Sequence, residues 1–249
     1  MKTAFLRFYA ELNDFLPRER RMVSFPYRFC VPAPVRDVIE SAGVPHTEVD
    51  LILVNGRSVG FSHVIEDGDR ISVYPVFESI DITPVLQVRP RPLRQPRFVL
   101  DVHLGRLAAY LRMVGFDTLY RNSFTDAELA AVAGGEDRIL LTRDRGLLKR
   151  TAVSRGYCVR ETSPRRQLEE VLRRFDLFRL IAPFSRCMVC NGVLRPVERE
   201  AVKDAVPTKI AETQTEFLRC ESCARVYWKG SHYDRMRNLI ESLRERSVL

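Results

Sequence analysis

The sequence predicts a mixed α/β protein in three parts, and three observations carry that prediction. Two short apolar runs, Phe98-Val99-Leu100 and Ile139-Leu140-Leu141-Thr142, lead into Asp101 and Asp144 and are separated by helix-like periodicity. Such runs read as buried parallel strands. In the first 78 residues the turn pairs Asn55-Gly56 and Asp67-Gly68 punctuate strand-like runs. Near the other end stand two Cys-x₂-Cys pairs. The expected organisation is a small N-terminal β-rich domain (1–78), a Pro/Arg linker (79–96), a central α/β domain with a mainly parallel sheet (97–180), and a cysteine ribbon with a final helix (181–249).

Charge is spread unevenly along the 249 residues. Residues 1–80 hold 9 Lys+Arg against 11 Asp+Glu, net −2, and residues 81–249 hold 31 against 21, net +10. The basic excess of the later part points to a polyanionic partner. No apolar run approaches a membrane span, so no membrane partner is expected. The first residues, Met1-Lys2-Thr3-Ala4-Phe5-Leu6-Arg7, meet charge too soon for a signal peptide. A cytoplasmic protein is the expectation.

In the N-terminal part, residues 3–9 and 21–29 read as a first hairpin, and residues 35–43 as a short amphipathic helix stopped by Gly43. Residues 49–54 and 70–76 read as strands, which makes a β-grasp domain. This order, with Val54-Asn55-Gly56 and Asp67-Gly68-Asp69-Arg70-Ile71-Ser72-Val73-Tyr74-Pro75, resembles the ubiquitin-like sulfur carriers of thiamine and molybdopterin synthesis. Those carriers end in Gly-Gly, whereas here Pro75-Val76-Phe77-Glu78 runs on into more chain. A docking module for a protein partner, or an RNA-positioning module, is expected instead of a working carrier. The linker Arg89-Pro90-Arg91-Pro92-Leu93-Arg94-Gln95-Pro96 is extended and stiff by composition, a spacer or a phosphate contact.

The central part reads βαβαβ. Leu104, Leu107, Ala108, Leu111 and Val114 repeat at helical spacing and stop at Gly115, before a short strand at 116–120. Thr125-Asp126-Ala127-Glu128 has capping-box spacing and opens an Ala-rich helix. Residues 138–142 and 156–160 read as strands, and Ser163-Pro164 opens a helix with proline at its first position. Ligands gather at the carboxyl ends of such strands, so Asp101 and Asp144 are expected at one edge, 43 positions apart in sequence. Carboxylates held together repel unless a cation joins them, and hard oxygen ligands suit Mg²⁺ or Mn²⁺.

Of six cysteines, Cys187-x₂-Cys190 and Cys220-x₂-Cys223 form two knuckles separated by 29 residues, a structural zinc spacing. Cys30 and Cys158 lie in strand-like contexts and read as buried, inert residues.

The run Asp101-Val102-His103-Leu104-Gly105-Arg106-Leu107-Ala108, with Arg138-Ile139-Leu140-Leu141-Thr142-Arg143-Asp144, resembles a PIN-type nuclease. With the cysteine knuckles and Val226-Tyr227-Trp228-Lys229-Gly230-Ser231-His232-Tyr233, residues 97–237 are similar to the Mut-seven C-terminal RNase domain family. That resemblance implies a PIN-like fold, a zinc ribbon, and a ubiquitin-like domain in front. It implies that Asp101, Asp126 and Asp144 hold metal and that a metal-activated water attacks the RNA phosphodiester. For Asp126 the alternative is an acid favoured by the helix dipole alone. Glu128 is expected as the partner of Thr125, Asp117 as either a strand end or a ligand, and Glu161 as the candidate fourth carboxylate. Arg143, Arg145, Lys149, Arg150, Lys229 and His232 are expected to hold RNA, and Trp228 either to stack on a base or to pack beneath the ribbon. Two functions follow: a Mg²⁺- or Mn²⁺-dependent ribonuclease with structural Zn²⁺, or a non-catalytic RNA-binding adaptor whose β-grasp domain recruits a partner.

Overall fold

The computed structural model describes residues 1–75, 87–88 and 96–245. The linker's 89–95 stretch and the 76–78 run-on lie outside the described residues. The chain forms two compact units, Met1–Gln95 with Asp126–Cys158, and Pro96–Thr125 with Val159–Leu249.

The first unit opens with β1 (Lys2–Phe8), β2 (Phe25–Phe29), α1 (Val35–Ser41), β3 (Leu51–Val54), β4 (Arg57–Ser58) and β5 (Arg70–Tyr74). They build a sheet in the order β2-β1-β5-β3-β4. β1 runs antiparallel to β2 and parallel to β5, which is the β-grasp arrangement. Alternation drives it: Ala4, Leu6 and Phe8 are buried while their neighbours on β1 face outward. Val35, Val38 and Ile39 of α1 are buried too, and with Leu6, Phe8, Ile52 and Ile71 they belong to the core. β2 is shorter than the expected 21–29, starting only at Phe25, and two 3₁₀ turns, Ala10–Phe15 and Arg18–Arg20, fill the connection from β1. Buried Asn13 ties that loop down. Its amide donates to the carbonyls of Phe8 at 3.0 Å and Ala10 at 2.9 Å, and its oxygen accepts from the Met22 N–H at 2.7 Å.

Each unit holds a pair of parallel strands. In the second unit β6 (Phe98–Leu100) pairs parallel with β7 (Thr118–Leu119). In the first, β8 (Ile139–Thr142) pairs parallel with β9 (Gly156–Cys158). Parallel neighbours need crossovers, and helices supply them: α2 (Gly105–Met113) after β6, α4 (Arg145–Leu148) after β8. α3 (Asp126–Gly135) precedes β8, and α5 (Pro164–Arg174) follows β9 with proline at its first position. α2 and α5 pack together, and Leu107, Leu111, Leu168, Val171 and Leu172 on them are all fully buried.

The C-terminal part of the second unit is a three-stranded antiparallel sheet, β10 (Leu194–Val197), β11 (Phe217–Cys220) and β12 (Val226–Trp228). α6 (Thr208–Thr213) lies between β10 and β11 in the chain, and α7 (Ser231–Glu245) follows β12. Among the described residues no helix is long and apolar enough to cross a membrane.

Where α2 ends, Gly115 takes φ +101°, and a Cβ there would meet the Ala182 carbonyl at 2.3 Å. The close approach lets Ala182 and Phe184 donate to the carbonyls of Val114 and Met113 at 3.0 and 2.9 Å. Gly115→Ala is expected to destabilise the fold by about 1–3 kcal/mol, read as a lower urea midpoint; an unchanged midpoint would refute the tight crossing.

Candidate catalytic and metal sites

Asp101 follows β6 directly and is only 6 % exposed. Its Oδ1 accepts from the Val102 N–H at 2.6 Å, capping the 3₁₀ turn Val102–Leu104. The Tyr120 hydroxyl donates to the Val102 carbonyl at 3.0 Å and so braces that turn from outside. Asp144 stands two residues beyond β8, and its own N–H donates to the Thr142 hydroxyl at 2.9 Å. Its Oδ1 accepts from Gly146 and Leu147 N–H groups at 2.7 and 3.4 Å, the orphan donors of α4. Asp144 is exposed, and its Oδ2 makes no hydrogen bond among the described residues. Asp126 opens α3 on the surface, 3.5 Å from the Arg150 guanidinium, a pair of little energetic weight. Glu128 is exposed on the same helix. Asp117 turns to the ribbon, its Oδ1 accepting from the Asn191 amide at 2.8 Å and its Oδ2 lying 3.7 Å from Arg186. The backbone N–H of Glu161 donates to Glu170 at 3.0 Å.

Cys187, Cys190, Cys220 and Cys223 come together with their sulfurs all within 4.8 Å of one another. The Cys190–Cys220 sulfurs are 3.4 Å apart and the Cys187–Cys223 sulfurs 3.7 Å. The two knuckles repeat one backbone design. Cys187 N–H donates to the Gly192 carbonyl, as Cys220 N–H does to Arg225. Asn191 and Ala224, each following the second cysteine, take positive φ (72° and 59°) and donate back to the carbonyls of Cys187 and Cys220. Gly192 is required by closeness, since a Cβ would meet the Cys220 sulfur at 2.7 Å. Such a cluster can hold a metal ion. Burial pushes the Cys187 thiol up, but the Tyr227 hydroxyl, 3.0 Å away, and nearby backbone N–H groups outweigh it and bring the pKa down to about 6. Cys190 is pushed up to about 12 by burial and by the neighbouring sulfurs.

Residues 96–240 match the Mut7-C RNAse domain, and residues 1–81 match the Mut7-C ubiquitin domain. The chain belongs to the Mut7-C RNAse domain family. No curated protein and no solved structure matches it.

Within the first unit, the Mut7-C ubiquitin domain grips the segment that follows Asp144. The Arg145 guanidinium lies 4.9 Å from the centre of the Phe15 ring and reaches the Asp14 carbonyl at 3.4 Å. Lys149 Nζ donates to the Glu40 carbonyl at 2.8 Å. His46 Nε2 donates to the Val153 carbonyl at 2.9 Å, with Nδ1 beside Glu40. Fully buried Glu48 accepts from the Cys158 N–H at 2.5 Å. Positive charge on α4 and just beyond it is thus used inside the molecule at two positions, while Arg143 is exposed and Arg150 faces Asp126.

On the ribbon, Trp228 is half-buried against a cluster of Val202, Val206 and Phe217. Lys229 pairs with Glu216 at 2.6 Å, and His232 Nδ1 lies 3.1 Å from Arg235. Cys158 is buried, as its context implies, whereas Cys30 is exposed after the end of β2. Sequence reasoning passed over Tyr120, Arg112 and Asn191. Only Asn191 left a local trace, because asparagine tolerates the positive φ that the first knuckle demands.

Only thiolates bind metal, so loading this cluster releases protons. Around neutrality Cys187 is largely thiolate and Cys190 still carries its proton. Affinity for Co²⁺ is expected to fall as pH drops, more steeply below about 6, where Cys187 is protonated as well. Competition against a chromophoric chelator measures this; affinity flat with pH would contradict it.

Proposed function

We propose that the chain is a metal-dependent ribonuclease hydrolysing RNA phosphodiester bonds, with Asp101, Asp126 and Asp144 as ligands for Mg²⁺ or Mn²⁺ and the four cysteines as ligands for one structural Zn²⁺. The observation that carries the reading is the RNAse-domain match over residues 96–240. It is supported by aspartates just past the ends of β6 and β8, where ligands of parallel sheets bind.

The donor types suit these metals, and among the described residues the cysteine set is the one gathered at metal-holding distance. Carboxylate oxygens suit a hard cation, and the Asp144 Oδ2 has none of the described residues' hydrogen bonds to surrender. The Cys190–Cys220 and Cys187–Cys223 sulfurs, 3.4 and 3.7 Å apart across the two knuckles, approach the spacing of about 3.8 Å that tetrahedral Zn–S bonds of about 2.3 Å require. When bound, the catalytic cation lowers the pKa of a water and offsets charge developing on the phosphate. The chain's own part is orientation. Backbone N–H groups hold one oxygen of Asp101 and one of Asp144, which orients each carboxylate. Exposed Arg143 and Arg150 offer charge to RNA phosphate, so affinity falls with salt.

Asp101→Asn and Asp144→Asn are each expected to abolish cleavage of labelled RNA in Mn²⁺ or Mg²⁺ with folding and RNA affinity kept, since the amide keeps shape and loses charge. Glu128→Gln should be mild. Purified protein should carry one Zn²⁺ per chain, and Cys220→Ser should lower that content and destabilise the ribbon. If the wild type never cuts, or Asp144→Asn cuts as fast, the ribonuclease reading fails and an RNA-binding adaptor takes its place.

A further inference from the structure

The second unit holds a cavity of about 500 Å³ between the ribbon sheet, the 183–188 segment and the start of α7. Its size falls within the range of small-ligand sites, about 300–1,000 Å³. Its walls are aromatic. Phe184 and Tyr233 pack on each other at 4.7 Å between ring centres, and Trp228, Tyr227 and Met236 complete the lining. Arg186 and Lys229 stand among the lining residues with Glu198 and Glu216, Lys229 being paired with Glu216 at 2.6 Å, and α7 adds exposed Arg235 and Arg237.

Phe184 makes this more than a leftover gap. Its backbone lies at φ +56°, in the left-handed region that a bulky side chain occupies only at a cost. That conformation is held by the Phe184 N–H donating to the Met113 carbonyl at 2.9 Å. Strain of this kind collects where a side chain must be presented in one direction. The ring it presents is only half-buried, and it lines the cavity.

We infer that this cavity binds an unpaired nucleobase of the RNA, stacked on Trp228, Phe184 or Tyr233, while Lys229 and the arginines of α7 meet the adjoining phosphates. The inference rests on the ribonuclease reading and adds a substrate class to it: single-stranded RNA. Aromatic faces accept any base, and surrounding cations track the backbone. Charge agrees with that occupant. Residues 181–249 carry 12 Lys+Arg against 9 Asp+Glu, net +3. A paired base keeps its faces inside the duplex and has none to offer.

Trp228 is the only tryptophan of the chain and so reports its own site. The zinc-loaded full chain, without added Mg²⁺ or Mn²⁺, is titrated with hexa-adenylate and with a fully paired RNA duplex while tryptophan emission is followed. Hexa-adenylate is expected to quench emission and the duplex to leave it nearly unchanged. Tyr233→Ala is expected to weaken hexa-adenylate binding about tenfold or more. Met236→Phe, which fills the cavity and removes no packing, should weaken it comparably at unchanged zinc content. RNA binding that leaves emission unmoved and both variants at wild-type affinity would overturn the nucleobase site and spare the ribonuclease reading. Absence of any RNA binding would overturn both. Emission that follows protein concentration and ignores RNA would give the cavity to a second copy of the chain and likewise overturn the proposal.

Discussion

Arg112 sits on α2 with its guanidinium buried, 4 % exposed, at the point where the central fold meets the ribbon. Its Nε donates to the Thr118 carbonyl at 2.9 Å, and its Nη1 to the carbonyls of Met188 and Val189 at 3.2 and 2.8 Å. Burial lowers its pKa from the usual value, yet a guanidinium stays protonated in proteins. A buried cation is tolerable only with acceptors around it, and here they are β7 on one side and the first cysteine knuckle on the other. Asn191 repeats the link, accepting from the Thr118 N–H at 2.9 Å and donating to Asp117. The knuckle that brings Cys187 and Cys190 to the cysteine cluster is therefore continuous with the parallel pair β6 and β7. The direction of Asp117 follows from that junction.

The same economy governs the aspartates. Asp101 caps a turn and Asp144 caps a helix, which are sufficient structural reasons for both residues. Each spends one oxygen on backbone N–H groups, and that fixes the carboxylate in one orientation. A group positioned by backbone needs no flexible neighbour to aim it, which is what a cation site asks of its ligands. Beyond Asp144 the ubiquitin domain continues the bracing through Arg145, Lys149, Val153 and Cys158. A ubiquitin-like module without a Gly-Gly end thus serves within its own chain, where it supports the element that starts at Asp144.

What could be read from the sequence was local. The β-grasp order followed from alternating apolar residues and from Asn55-Gly56 and Asp67-Gly68, and the gathering of the four cysteines from their spacing alone. Strand ends were less legible, because β2 is shortened by Asn13, a buried side chain whose three bonds join backbone from Phe8 to Met22. Arg145 and Lys149 look in sequence like any exposed basic pair. Their contacts lie 131 and 109 positions away, and no periodicity encodes such distances. Arg112 was hidden for the same reason, its acceptors on the knuckle being 76 and 77 positions distant. The cavity lined by Phe184 and Tyr233 combines segments that only the folded ribbon joins. Of the two expectations for Trp228, packing beneath the ribbon is what the structure shows, against the cluster of Val202, Val206 and Phe217.

The central claim is that water, activated at an aspartate-held cation, is the nucleophile. It is tested most directly by cutting RNA with the purified chain and Mn²⁺ in heavy-oxygen water and weighing the products. The account predicts one heavy oxygen in the terminal phosphate at each cut and no cyclic phosphate. Unlabelled 2′,3′-cyclic phosphate ends would mean that the ribose hydroxyl attacks instead, and would contradict it.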